Sequence, residues 1–167
     1  MDAPACFLPT VIVRHPKEKL SKCSLRGLED RDDLRFLQFG KDPLPEMSGY
    51  VRLDLEGPLL SEADAGAGLL LLDGTWRLAG RMARALRPQI ESVQTRSLPA
   101  DLVTAYPRAQ TLCPDPARGL ASVEALYAAH RLMGRPIRGL LRHYHWAETF
   151  LEENIDRLGR DGAGMIC

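Results

Sequence analysis

The amino-acid sequence predicts an α/β fold, a sheet with helices packed on both of its faces. Three observations carry that prediction. Residues 69–72 are four consecutive leucines, an apolar run without alternation, which is the pattern of a central strand covered on both sides. Helical spacing follows at once, with Trp76, Ala79, Met82, Ala83 and Leu86 on one face. Strand-like and helix-like segments then continue to alternate along the chain.

Taken in order, residues 10–13 read as a short buried strand of β-branched residues ending at His15-Pro16. Residues 34–39 and 50–55 read as further strands, the second alternating apolar and polar side chains as a half-exposed strand does. Residues 40–49, with two prolines and two glycines, read as the loop between them. The central strand spans 68–73 and ends at Asp73-Gly74; the helix after it is expected to stop at Pro88, with another strand over 91–97. A second amphipathic helix is expected over 120–133, with Ser122 as N-cap, Glu124 in the first turn, and Gly134 with Pro136 as the stop. Ile137, Leu140, Leu141, Tyr144, Leu151, Ile155 and Leu158 continue a helical stripe to Gly159, and residues 159–167 read as a flexible tail.

The 167 residues suit one domain, with the folded body over 11–158. Hydrophobic residues are 45% and charged ones 26% of the chain, an ordinary globular balance. No apolar run approaches the ~20 residues that span a bilayer, and residues 1–9 lack the pattern of a signal peptide, so no membrane partner and a cytoplasmic location are expected. Cys6, Cys23, Cys113 and Cys167 are scattered and form no C-x-x-C pair, which argues against a disulfide framework and against a metal site. His143 and His145 point to different sides of a helix, which makes them a poor metal pair.

The formal net charge of zero hides segregation. Over residues 11–28 the bases Arg14, Lys17, Lys19, Lys22 and Arg26 face the single acid Glu18, while acids gather at 29–33 and 148–156. A neutral protein with a basic face still holds phosphate, because local fields steer a polyanion. Asp73 stands where open α/β sheets bind ligands, at the carboxyl end of the central strand. The competing use of such a residue is to cap the helix that follows.

The stretch LLLLDGTW, residues 69–76, resembles the signature of the DTW-domain proteins, and HPKE at 15–18 is similar to that family's N-terminal segment. KCS at 22–24, the Leu98-Pro99 turn, SVEAL at 122–126 and W-x-x-x-F-L-E-x-N at 146–154 look like the related ribosome-biogenesis aminocarboxypropyltransferases. The order and spacing of these elements over 11–158 carry the resemblance more than any one of them. It implies a SPOUT-type α/β sheet with a C-terminal trefoil knot, which pattern reasoning alone would have excluded. It also implies S-adenosylmethionine as co-substrate, 5′-methylthioadenosine as product, and N3 of a uridine or pseudouridine in structured RNA as acceptor. Ribosomal RNA is favoured over transfer RNA, and a monomer over a homodimer. Two departures stand out: only Cys6 precedes the first strand where DTW proteins carry a cysteine cluster, and Gly74-Thr75 stands where the ribosome-biogenesis branch has Cys-Ser. That branch's Asn-Pro-x-Asn-Tyr-Gly stretch is also missing; Tyr106-Pro107-Arg108 and an unmatched segment to Pro116 occupy its place.

With the resemblance beside residue spacing and the chemistry of the reaction, individual residues take roles. Asp73 would be catalytic, orienting the N3 proton or facing the donor's sulfonium. Trp76 would wall off the donor's methyl group so that the carboxypropyl carbon is the one presented. Ser24 matches a position that binds the donor's carboxylate, though a turn serine is the plain alternative. Leu72, Gly74, Thr75, Leu98, Leu120, Ala121 and Ser122 belong to the donor-binding segments. Arg77, Arg81, Arg84 and Arg87 line one helix face and, with Arg14, Lys17 and Lys22, would follow the RNA backbone; a solvated basic face is the alternative. Glu124 is read as a first-turn charge only. Rival functions are a SPOUT-type methyltransferase with the same donor and a non-catalytic RNA-binding assembly factor.

Overall fold

The computed structural model describes residues 7–17, 23–107 and 119–159. Among these, five strands form one all-parallel sheet: β1 (Thr10–Arg14), β2 (Leu34–Gln38), β3 (Tyr50–Leu53), β4 (Gly68–Asp73) and β5 (Gln94–Arg96). Their order is β2-β1-β4-β3-β5, so the four-leucine strand is the central one, as expected. The helices are α1 (Trp76–Ala85), α2 (Arg87–Ile90), α3 (Ser122–Met133), α4 (Ala147–Glu153) and α5 (Ile155–Leu158).

Strand alternation sorts the core into two layers. Ile12, Leu34, Val51, Leu69 and Leu71 point to one face and bury themselves against Leu126, Tyr127 and Met133 of α3, Phe150 of α4 and Leu158 of α5. Val11, Val13, Leu37, Tyr50 and Leu70 point to the other and meet Met82 of α1, Ile90 of α2 and Val93. Each fully buried leucine of the sheet contributes about 2 kcal/mol relative to exposure. The same alternation sends Arg14 and Asp73, paired in register, toward the α3 face, and His15 toward α1.

Several local expectations are corrected. β3 is not half-exposed: Tyr50 and Val51 are both buried, because β4 and β5 flank it and both layers cover it. α1 stops at Ala85, near the expected end, but Pro88 itself sits in the first turn of a short second helix, α2, where a missing N–H costs nothing. Ser122 is the first helical residue of α3; the N-cap is Ala121. The apolar stripe after Ile137 is not one helix, since turns occupy residues 138–146 before α4 begins. Gly134 does close α3, at φ 74°, the left-handed cap that glycine reaches without strain. The tail from 160 to 167 lies outside the described residues.

Behind the sheet, Arg135 donates to the Thr10 hydroxyl at 3.3 Å, Thr10 lies 2.8 Å from His130 Nε2, and His130 Nδ1 lies 3.2 Å from the Pro136 carbonyl. That carbonyl only accepts, so the network places the ring's proton on Nδ1 and leaves Nε2 to accept from Thr10. Burial is the main cause that lowers the His130 pKa from 6.5 to about 4. The unfolded chain therefore takes up a proton that the folded chain refuses between those two values. Stability should fall as pH drops from 6.5 toward 4, by about 3 kcal/mol from this residue in total. Urea unfolding across that window should show a slope steeper by one proton than that of His130→Gln; equal slopes would contradict the burial of a neutral imidazole.

Candidate functional site

The carboxyl ends of β3 and β4, the turn after β5 and the start of α3 converge on one pocket of about 480 Å³. That falls within the ~300–1,000 Å³ typical of small-molecule sites, at the edge where open parallel sheets bind ligands. The wall contains Ser24, Leu72, Asp73, Gly74, Thr75, Trp76, Leu98, Leu120, Ala121 and Ser122. Residues assigned to donor binding, from Ser24 to Ser122 in the sequence, are thus brought to one cavity.

Asp73 lies at its floor, 2% exposed. Its Oδ1 accepts from the Ser122 hydroxyl at 2.7 Å, and its Oδ2 from Arg14 Nε at 3.4 Å and from the Cys23 thiol at 3.3 Å. It does not cap α1: Thr75 does, accepting from the Leu78 amide at 3.3 Å. The capping alternative for Asp73 is therefore set aside. Three donors hold the carboxylate in one orientation, which gives the pocket a fixed negative charge.

Ser24 accepts from the Val123 amide at 3.1 Å, closing one of the open N–H groups of α3 while facing the pocket. Trp76, partly exposed, opens α1 and joins neither core layer, so its ring is available as wall. Ala79, Gly80 and Ala83 keep the helix surface beside it low. On the opposite side stand Arg52, Leu53, Asp54, Leu55 and Glu56, with Arg52 ion-paired to Asp54 at 3.2 Å. Sequence reasoning missed this side. Part of its signal was available, because a strand was expected over residues 50–55 and ligands gather at strand carboxyl ends; that this strand lies beside the central one is shown only by the fold.

The basic residues divide. Arg77, Arg81, Arg84 and Arg87 are all exposed, as is Lys17. Arg14 is turned inward: it ion-pairs with Asp73 and Glu29, both at 3.4 Å, and lies 4.6 Å over the Phe36 ring. Lys19 and Lys22 lie outside the described residues, as do Cys6, Cys113, Cys167 and the unmatched segment from Arg108. Among the described residues no cluster of His, Cys, Asp and Glu is gathered as for a metal ion, and no helix is long and apolar enough to cross a membrane.

Burial first, and the charge of Asp73 second, push the Cys23 thiol up to about 12. Cys23 is 6% exposed and stays a neutral S–H donor. At pH 8 its thiolate fraction is on the order of 10⁻⁴. Peptide mapping after iodoacetamide treatment should find Cys23 unmodified in the native protein and fully alkylated in urea. Native labelling as fast as a free thiol would mean that the contact with Asp73 is absent in solution.

Fold and pocket together define an α/β protein with a pocket of small-molecule size at the strand ends, beside an exposed basic helix. No protein-family model matches the chain, and no curated protein matches it. Among solved structures it is similar to the SAM-dependent rRNA:acp-transferase Tsr3 from Vulcanisaeta distributa, with a TM-score of 0.68 and 25% sequence identity. The match covers 92% of this chain and 83% of that one.

Proposed function

We propose that the chain is an RNA-modifying enzyme that transfers the 3-amino-3-carboxypropyl (acp) group of S-adenosylmethionine to N3 of a uridine or pseudouridine in ribosomal RNA. The observation that carries this reading is the likeness to a SAM-dependent rRNA:acp-transferase over nearly the whole chain, joined to a pocket that holds Asp73 and Trp76. In the reaction N3 attacks the γ-carbon of the acp chain, the carbon–sulfur bond breaks, and its electron pair goes to sulfur. The sulfonium becomes the neutral thioether 5′-methylthioadenosine, and the N3 proton leaves to solvent or a base.

The residues fit the parts of the donor. Asp73 supplies a fixed negative charge for the sulfonium. Trp76 supplies the apolar wall that sequesters the methyl group, so that positioning selects the carbon attacked. The Ser24 hydroxyl, whose oxygen accepts from the Val123 amide and whose O–H is left to donate, suits the donor's carboxylate. The low surface of Ala79, Gly80 and Ala83 and the leucines Leu98, Leu102 and Leu120 suit the adenosine. A SPOUT-type fold with a C-terminal trefoil knot, a monomer acting in the cytoplasm, and transfer RNA as the second choice of substrate belong to the same reading.

The test is turnover of S-adenosylmethionine with bulk RNA that lacks the modification, followed by mass analysis of the nucleosides. An added carboxypropyl mass with methylthioadenosine released is expected. A methyl mass with adenosylhomocysteine would make the protein a methyltransferase, and failure to bind the donor would overturn the reading.

A further inference from the structure

We infer that His15, Lys17 and Arg81 form a phosphate site at the rim of the pocket, and that it takes a phosphodiester of the acceptor RNA strand. The inference rests on the RNA-modifying reading above. His15 directly follows β1, and its amide donates to the Asp73 carbonyl at 3.0 Å, so it stands beside the pocket floor. Its side chain turns to the α1 face, away from Arg14. A methyl group placed on Gly74 would lie 3.5 Å from His15 Cβ and 3.2 Å from Leu78 Cβ, so α1, Gly74 and His15 meet closely there. Arg81 is three residues on from Leu78, about one turn along the exposed side of α1.

The imidazole is fixed in orientation. It stacks on Phe39 at 5.6 Å, and the Lys17 amide donates to its Nδ1 at 3.1 Å. Since Nδ1 accepts, the ring carries its proton on Nε2 and offers it as a donor. His15 is only 8% exposed, and among the described residues Nε2 has no hydrogen-bond partner. Burial, then the charges of Lys17 and Arg81, lower the His15 pKa below 6.5, so at neutral pH the ring is an uncharged donor between two cations. Neither cation forms an ion pair among the described residues. An oriented N–H left open to a ligand, with the charges of Lys17 and Arg81 acting on the same ring, is what an anion requires.

None of the three residues lines the pocket itself, so the anion is not the donor's carboxylate inside it. Arg77, Arg84 and Arg87 continue the exposed basic surface along α1 and α2, which suits an anion that repeats. A polynucleotide backbone has that character. Its phosphate at the rim would hold the strand where a single nucleotide can enter beside Asp73.

The phosphate term of RNA binding is independent of sequence, so a fluorescein-labelled oligouridylate 12-mer serves as probe, its anisotropy followed over a range of salt concentrations. Lys17→Ala and Arg81→Ala should each weaken binding about five- to tenfold at ~0.1 M salt. Each should also reduce the slope of log affinity against log salt by about 0.7, one phosphate contact on a single strand. His15→Phe keeps a ring over Phe39 and removes the donor; it should weaken binding about threefold with the slope unchanged, because a neutral donor releases no counterion. Calorimetric affinity for S-adenosylmethionine should stay within about twofold of wild type in all three variants. Slopes equal to wild type in both cation variants would overturn the site while leaving the RNA reading intact, provided the unaltered chain still modifies bulk RNA. If that chain binds S-adenosylmethionine but neither the 12-mer nor bulk ribosomal RNA, the RNA reading falls and the site with it. A parallel loss of donor affinity in the variants would make the three residues structural and overturn the proposal too.

Discussion

Asp73→Asn should leave a folded protein whose turnover is roughly 100- to 1,000-fold slower, the range seen when one preorganised electrostatic partner is lost from an active site. The substitution is nearly isosteric. Its amide oxygen can keep accepting from Arg14 and Cys23, and its NH₂ can face the Ser122 hydroxyl, which rotates to accept. The charge is lost while the arrangement survives, so the stability cost should be about 1–3 kcal/mol, that of weakening hydrogen bonds to an ionised group. Donor binding discriminates what Asp73 does. A fixed anion opposite a sulfonium should favour S-adenosylmethionine over S-adenosylhomocysteine, a neutral thioether that keeps the adenosyl and aminocarboxypropyl groups and lacks only the methyl group and the charge. We therefore expect Asp73→Asn to weaken the sulfonium ligand at least about tenfold and the thioether by less than about twofold, because one charge contact in a partly screened site is worth more than 1 kcal/mol. Equal losses for the two ligands would reduce Asp73 to a residue that shapes the pocket floor through Ser122 and Arg14.

The central part of this site was legible because its elements obey local rules. An unalternating leucine run makes a strand covered on both faces, and a polar residue at its carboxyl end marks the ligand edge of the sheet. Arg14 shows a rule applied halfway: its basic neighbours suggested an RNA contact, but strand alternation from Ile12 already placed it on the covered face, where it pairs with Asp73. The start of α3 was misread for a different reason. Ser122 looks like an N-cap, yet the acceptors that close the helix come from Glu124 and from Ser24, 99 residues before Val123, so Ser122 is free to donate to Asp73. Only the folded chain brings Ser24 there. The turns at 138–146 were hidden for a similar reason: apolar residues at near-helical spacing fill the core from turns as well as from a helix, and Gly139, at φ 79°, breaks the run.

Glu124 is where the sequence understated a residue most, and its replacement by alanine should have the largest effect on stability. The side chain is 0% exposed. One oxygen accepts from the Ala121 amide at 2.8 Å and the Thr104 hydroxyl at 2.6 Å, and the other from the Ala105 amide at 2.8 Å. A single carboxylate thus closes the N-terminus of its own helix and ties down the strand of backbone that carries Leu102 and Tyr106 along the pocket wall. Among the described residues it has no cationic partner within ion-pair distance, so these donors and the α3 terminus stabilise it. Tyr144 packs beside it, and burial, followed by the charge of Glu124, raises that phenol well above its usual range, leaving a neutral hydroxyl against the carboxylate. Glu124→Ala strips two buried amides and a hydroxyl of their acceptor and should cost about 3–5 kcal/mol, which for a chain of this length lowers Tm by roughly 10 °C or more. Glu124→Gln keeps the shape and at least one accepting oxygen and should cost less than half as much. Because Leu120–Ser122 and Leu102–Tyr106 are opposite ends of the same set of hydrogen bonds, donor affinity should fall with stability in the alanine variant even though Glu124 does not line the pocket. Thermal unfolding with and without S-adenosylmethionine measures both at once. A donor-induced rise in Tm that is undiminished in Glu124→Ala would show that the pocket wall holds without this carboxylate.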